Sequence, residues 1–143
     1  MITDLRPGLL DDLGLTAAIE WQAEDFQNRT GIKCKVSIDD KDIILDQERS
    51  TAIFRIFQET LTNTARHANA TSIDGILREE AGEIVLKLRD NGKGVTEKDI
   101  SDPKSFGLIG IRERVYVFGG KLEIEGVPGE GTTVSVRIPV EKL

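Results

Sequence analysis

Two rhythms of apolar and polar residues run along the chain. In “DQERSTAIFRIFQETLTNTARHA” the apolar residues Ile53, Ile56, Phe57 and Leu61 fall three and four apart, the spacing of one helical face. Asp46 stands where an N-cap is expected, and Glu48 lies in the first turn, where an acid meets the positive end of the helix dipole. The opening “LRPGLLDDLGLTAAIEWQAEDFQNRTG” breaks at Pro-Gly and then turns helical. Leu15, Ala18, Ile19, Ala23 and Phe26 form its stripe, Trp21 sits near the edge, and Gly31 is placed to end it. “FGLIGIRERVYVFGG” predicts a further helix bracketed by glycines. The other rhythm has period two. “IKCKVSI”, “TSIDGILRE”, “EIVLKLRD”, “KLEIEGV” and “GTTVSVRIPV” alternate as strands. Ile84, Leu86 and Leu88 share one face, as do Val134, Val136, Ile138 and Val140, and “EAGE” suits a hairpin turn. Helices and strands arrive in blocks rather than in strict repeats. The predicted product is α+β: a two-layer sandwich with a mixed, mostly antiparallel sheet of about five strands and about three helices on one face.

Composition narrows the class. With 143 residues, 38% hydrophobic and 31% charged, the chain is large enough for one globular domain with a core that needs no covalent staples. No run approaches the ~18 apolar residues of a membrane span, and “MITDLRPGLL” lacks the pattern of a signal peptide. The single cysteine, Cys34, leaves no internal disulfide and reads as a small strand residue in a reducing, cytoplasmic compartment. A net charge of −6, with acids spread throughout, argues against a nucleic-acid face, which needs clustered Lys and Arg. It does not argue against a nucleotide, because one metal ion and a helix N-terminus can hold a polyphosphate on an acidic protein.

Candidate chemistry begins on the “DQERSTAIFRIFQETLTNTARHA” helix. Glu59, Asn63 and His67 are four residues apart each time and form a stripe that drifts by about 40° per step, roughly 200° round the axis from Ile53, Phe57 and Leu61. An acid, an amide and an imidazole in line are either a site facing away from the sheet or an ordinary solvated face. His67 is the only histidine, which removes multi-histidine metal sites. No Ser stands in a nucleophile elbow and no Cys pair offers zinc ligands. Glycine supplies the next clue: Gly92 and Gly94, Gly107 and Gly110, and Gly129 and Gly131 each border a strand end or helix start, where close backbone approach is allowed. “SFGLIGIRERV” puts two of them at a helix N-terminus, which favours an anion. The motif is neither a Walker loop nor a dinucleotide fingerprint.

“FQETLTNTARHA”, “DNGKGV”, “FGLIGIRERV” and “GEGTTVSVRIPV”, in this order and at these separations, resemble the nucleotide-binding boxes of sensor histidine kinases. These belong to the superfamily of gyrase, Hsp90, histidine kinase and MutL ATPases, and the likeness covers essentially the whole chain. “LRPGLLDDLGLTAAIEW” is similar to the segment that joins dimerisation helices to the catalytic domain in the nitrate-sensor and lipid-thermosensor subfamily. The resemblance therefore implies a Bergerat-type fold, with residues 1–10 as a linker remnant and 11–143 as the ATP-binding catalytic domain. It implies that Asp90 accepts a hydrogen bond from the adenine amino group, with Thr132 assisting, and that Gly92 and Gly94 let the chain pass close to the base. Asn63 matches the amide that ligates Mg²⁺, and Glu59 the acid that takes a proton from, or polarises, the attacking group. Arg66 and His67 would lie near the phosphates. Gly107, Leu108 and Gly110 would border a lid, “VTEKDISDPKSFG”, that closes over the triphosphate. Arg112 and Arg114 read as solvated charges on the helix after it.

The function so implied is transfer of the ATP γ-phosphoryl group to a histidine on a dimerisation domain absent from this chain, with a response regulator downstream. His67 itself lies in the Asn63 helix, whereas the family's acceptor lies on a separate dimerisation helix. No nucleic acid and no direct membrane contact are expected, although the parent protein can be membrane-anchored. The fragment alone is expected to be nearly inert as a kinase. Two alternatives stay open: a freestanding serine kinase of the anti-sigma-factor type, against which the “LRPGLLDDLGLTAAIEW” segment speaks, and a noncatalytic module, against which Glu59, Asn63 and Asp90 together speak.

Overall fold

A computed structural model of the chain describes residues 14–39, 43, 45–67, 69–94 and 108–140. The elements run α1 (Leu15–Thr30), β1 (Lys33–Ile38), α2 (Gln47–His67), β2 (Ser72–Glu80), β3 (Glu83–Asp90), α3 (Leu108–Val117), β4 (Lys121–Val127) and β5 (Gly131–Pro139). Residues 1–10, expected as a linker remnant, and the 95–107 segment, expected as a lid, lie outside the described residues.

Local chemistry sets the boundaries. Gly31 ends α1 in a left-handed conformation (φ 79°), its N–H donating to the Gln27 carbonyl at 2.9 Å. Asp46 caps α2: its Oδ2 accepts the Arg49 N–H at 3.2 Å, which satisfies one of the donors a helix start leaves unpaired. Between β2 and β3 the chain reverses over Ala81 (φ 52°) and Gly82 (φ 81°), the paired positive dihedrals of a type I′ hairpin turn.

The strand order is β1-β2-β3-β5-β4, with β1 and β2 parallel and the other pairs antiparallel. Parallel neighbours need a crossover, and α2 is that crossover. The predicted faces hold: Ile84, Leu86 and Leu88 of β3 and Val136 and Ile138 of β5 are buried under the helices. Ile53, Ile56, Phe57 and Leu61 of α2 and Ile19 and Phe26 of α1 meet them there. Each such apolar side chain taken from water stabilises the fold by about 1.5–3 kcal/mol before entropy is counted.

Helix α2 lies in the middle of the helical layer, against both α1 and α3. Gln58 Nε2 donates to Gln22 Oε1 of α1 at 2.9 Å, while Glu59 pairs with Arg114 of α3. Successive residues on a helix point about 100° apart, so neighbours 58 and 59 reach opposite flanks. Glu59 therefore meets α3 and is not an ordinary solvated charge. Among the described residues no helix is long and apolar enough to cross a membrane.

Candidate functional site

The alternation of β3 that buries Ile84, Leu86 and Leu88 carries on to Asp90, which puts a carboxylate on the helix-covered face at 7% exposure. Its pairing partner on β2 is the apolar Ile73. Thr132, on the same face of β5 as Val136, is also buried. A carboxylate there must be hydrogen-bonded. Oδ1 accepts the Gly92 N–H at 2.8 Å and the Thr132 N–H at 3.2 Å. Both bonds fall on one oxygen, and Oδ2 takes neither.

Backbone contacts hold this end of the sheet. The turn after β3 and the turn between β4 and β5 are stitched together by the Gly129 N–H, which donates to the Lys93 carbonyl at 2.8 Å. Gly94 has φ 83°, and a β-carbon on it would stand 2.5 Å from the carbonyl oxygen of Val127. Gly131 has φ 127°, and a β-carbon there would overlap the carbonyl oxygen of Asp90, with the carbonyl carbon at 2.9 Å. From sequence, Gly92 and Gly94 are expected to admit a ligand. At Gly94 the neighbour that demands glycine is instead the protein's own backbone, while Gly92 is buried and gives its N–H to Asp90. Gly131 is the more constrained position of its pair.

Asn91 closes the arrangement in a way the sequence did not single out. Its Oδ1 accepts the N–H groups of Thr71 (2.9 Å) and Ser72 (3.1 Å), and its Nδ2 donates to Thr71 Oγ1 at 2.9 Å. Four residue steps, at most ~14 Å of chain, take the backbone from His67 to Thr71. The last turns of α2 are thereby drawn to the Asp90 end of the sheet. Asn63 there is half-buried and already engaged in an interaction, Arg66 is exposed, and His67 is the last helical residue, its side chain outside the described set.

The second grouping lies between α2 and α3. Arg114 Nη1 donates to Glu59 Oε1 at 2.8 Å, with both side chains about one-third exposed. Glu59 Oε2 is buried and accepts no hydrogen bond, alone in this among the buried side-chain polar atoms of the described residues. Gly110 packs against the pair: a β-carbon on it would lie 3.0 Å from Arg114 Nη1, 3.0 Å from Glu59 Oε2 and 3.2 Å from Oε1. Arg114 is thus no mere solvated charge. Its partner, 55 residues away, carries no signal in the local pattern. Leu108 is buried at the first position of α3, and Gly107 lies outside the described residues.

The chain thus presents a buried acceptor at one strand end and an ion-paired acid on the helix that reaches the same end. Residues 48–142 match the family described as histidine kinase-, DNA gyrase B- and HSP90-like ATPase, and the chain belongs to that family. Among curated relatives it is 35% identical over 140 residues to the signal transduction histidine-protein kinase/phosphatase DegS of Brevibacillus brevis, covering 98% of this chain and 36% of DegS. It is 37% identical over 138 residues to the sensor histidine kinase MctS of Rhizobium johnstonii, covering 95% of this chain and 30% of MctS. The chain spans about a third of the length of these relatives. Among solved structures, the histidine kinase domain of the blue-light-activated kinase EL346 from Erythrobacter litoralis superposes with a TM-score of 0.71 at 27% identity, over 88% of this chain and 61% of that one. The catalytic domain of histidine kinase ThkA matches with a TM-score of 0.70, over 88% of this chain and 90% of that one, and its 18% identity speaks for the fold alone.

Proposed function

We propose that the chain is the ATP-binding catalytic domain of a two-component sensor histidine kinase of the nitrate-sensor and lipid-thermosensor type. The observation that carries this is Asp90: a carboxylate at 7% exposure, one oxygen satisfied by two backbone N–H groups and the other left to accept. That suits the exocyclic amino group of adenine, and guanine offers a carbonyl where adenine has that donor. Thr132 stands beside it, and Gly92 helps fix the carboxylate through its N–H.

The donor set suits magnesium carried by the nucleotide. No group of three or more Cys, His, Asp or Glu among the described residues could hold a cation by itself. Mg²⁺ needs six oxygens and keeps several waters, so the Asn63 amide oxygen would complete a shell made mainly of phosphate and water. Bound there, the ion would neutralise phosphate charge. The N-terminus of α3, which has no acid in its first turn, would offer Leu108 and Gly110 backbone N–H groups to phosphate oxygens, with Gly107, Arg66 and His67 as further contacts.

Phosphoryl transfer needs positioning and charge neutralisation more than covalent help. A nitrogen lone pair of the acceptor histidine forms the bond to γ-phosphorus, and the bond from that phosphorus to the β–γ bridging oxygen breaks. ADP leaves with the electron pair, and the proton on the histidine's other nitrogen passes to Glu59. The acceptor histidine belongs to a dimerisation domain outside this chain, and the phosphoryl group goes on to a response regulator. The isolated chain would bind nucleotide and transfer almost nothing.

Calorimetric titration with ATP and GTP in Mg²⁺ tests this. ATP binds more tightly. Asp90→Asn keeps the shape but turns a donor toward the adenine amino group, which costs about 1–3 kcal/mol, or roughly 5- to 150-fold in affinity for ATP. Asn63→Ala chiefly reduces the magnesium dependence. Unchanged affinities in both variants would refute the assignment.

A further inference from the structure

We propose that Arg114 is a positioning residue for Glu59, and that Gly110 provides the slot in which their ion pair is held. The proposal rests on the function given above, in which Glu59 receives the proton of the acceptor histidine. A glutamate has three rotatable bonds, and a proton acceptor must be held in reach of its donor. Here one bond from α3 holds it: Arg114 Nη1 to Glu59 Oε1 at 2.8 Å. The other oxygen is left buried without a partner, a state that is costly unless something fixes the group there. The ion pair is that fixture. It also divides the carboxylate into an occupied oxygen and a bare one, and the bare oxygen is the stronger acceptor for an incoming proton.

Gly110 supports the same conclusion independently. Glycine is a poor residue within a helix, and Gly110 is the third residue of α3 with no left-handed dihedral to call for it. What it supplies is space, because a β-carbon would press on Nη1, Oε2 and Oε1 together at 3.0–3.2 Å. Gly110 and Arg114 are four apart, hence on one face of α3, and that face carries the Glu59 carboxylate. The placement of α3 and the orientation of the acid are thereby one degree of freedom.

The test uses the full-length protein that carries this domain. Transfer of radiolabelled γ-phosphate to histidine is followed under single turnover, and Mg²⁺–ATP affinity is measured by calorimetry. Arg114→Ala should slow transfer by about 10²-fold, the lower end of what a placed proton acceptor contributes, while affinity changes by no more than about twofold. Arg114→Lys keeps the charge without the planar fork and should recover part of the rate. Gly110→Ala, whose β-carbon would press on the pair, should slow transfer too, and in a Glu59→Gln background it should add little to that loss. In a Glu59→Gln background, adding Arg114→Ala should cost no more than about twofold further, because the residue it positions is already disabled. A matching loss of affinity would make Arg114 a nucleotide contact and overturn the proposal, as would a full multiplicative loss in the Glu59→Gln background. Should Arg114→Ala fail a thermal-melt check, Arg114→Lys, alone and in the Glu59→Gln background, decides the matter. If the unaltered protein binds no ATP, the functional assignment falls; if it binds and transfers but ignores these variants, only the role of Arg114 falls.

Discussion

Gly129 and Gly131 occupy the same turn region, both have positive φ, and alanine should distinguish them sharply. At Gly129 (φ 80°) a β-carbon meets nothing within 4 Å. Its cost is the left-handed backbone alone, about 1–2 kcal/mol. At Gly131 the dihedral (φ 127°) lies outside even that region, and the β-carbon drives into the Asp90 carbonyl with Asn91 Cα at 3.1 Å. Those are backbone atoms of the paired strand end, which cannot rotate away. Strain of about 1–3 kcal/mol and overpacking of about 1–3 kcal/mol then add. The gain from restricting the unfolded chain is equal at both sites and cancels. Gly131→Ala, at about 4 kcal/mol, should therefore be less stable than Gly129→Ala, at about 1.5, by about 2.5 kcal/mol. For 143 residues an entropy of unfolding near 2.1 cal/mol/K per residue converts this to a gap of about 8 °C in Tm. Urea denaturation and thermal melts measure both. Gly131→Ala should also lose Mg²⁺–ATP affinity while still folded, because the adjacent Thr132 N–H is one of the two donors that hold Asp90. Equal stabilities, within about 0.5 kcal/mol, would refute the packing on which the site depends.

Two further outcomes concern single groups. Asp46 is slightly buried, which alone would raise its pKa, but the Arg49 backbone N–H and guanidinium hold it below its ordinary 3.8. A depressed carboxyl stabilises the fold above its unfolded value and loses that contribution as pH falls through its folded value. Asp46→Asn, which keeps a cap, should stay close to the unaltered protein at pH 7 and lose less stability on acidification to about pH 3, read by denaturant midpoints; Asp46→Ala should cost about 1 kcal/mol at pH 7. The Cys34 thiol is pushed up to about 11, first by burial and then by the Asp74 charge. Iodoacetamide at about pH 8 should leave it nearly untouched in the folded protein and alkylate it promptly in guanidinium, because the thiolate is the nucleophile; equal rates would contradict the burial.

What the sequence conveyed is what a local period can carry. Ile84, Leu86 and Leu88, or Ile53, Phe57 and Leu61, announce their faces because a strand repeats every two residues and a helix every 3.6. Asp46 and Gly31 announce helix ends because caps are local. Which strands pair is a non-local matter. The parallel β1–β2 pair and the insertion of β5 between β3 and β4 have no signature in any single segment. The same division runs through the site. Asp90 was legible through the resemblance of “DNGKGV” to a family box, and it is buried because it continues the count from Leu88 on the covered face of β3. Thr132 meets it across 42 residues and Arg114 meets Glu59 across 55, so neither contact is visible locally.

Gly94 shows how that limit can mislead about cause. Its glycine was legible and its purpose was not, because the Val127 carbonyl that excludes a side chain belongs to a turn more than thirty residues later. A strand end read from sequence as bare for a ligand is bare first in order to close against the β4–β5 turn. The two needs are coupled. The turn that demands Gly94 and Gly131 also presents the Thr132 N–H to Asp90, so the backbone closure that removes side chains at 94 and 131 is what turns one carboxylate oxygen inward and leaves the other to accept. On the function proposed above, base recognition is therefore a property of how two turns fit together. Substitutions at either turn should change nucleotide affinity and stability in parallel, whereas substitutions along the Glu59–Arg114 pair should separate them.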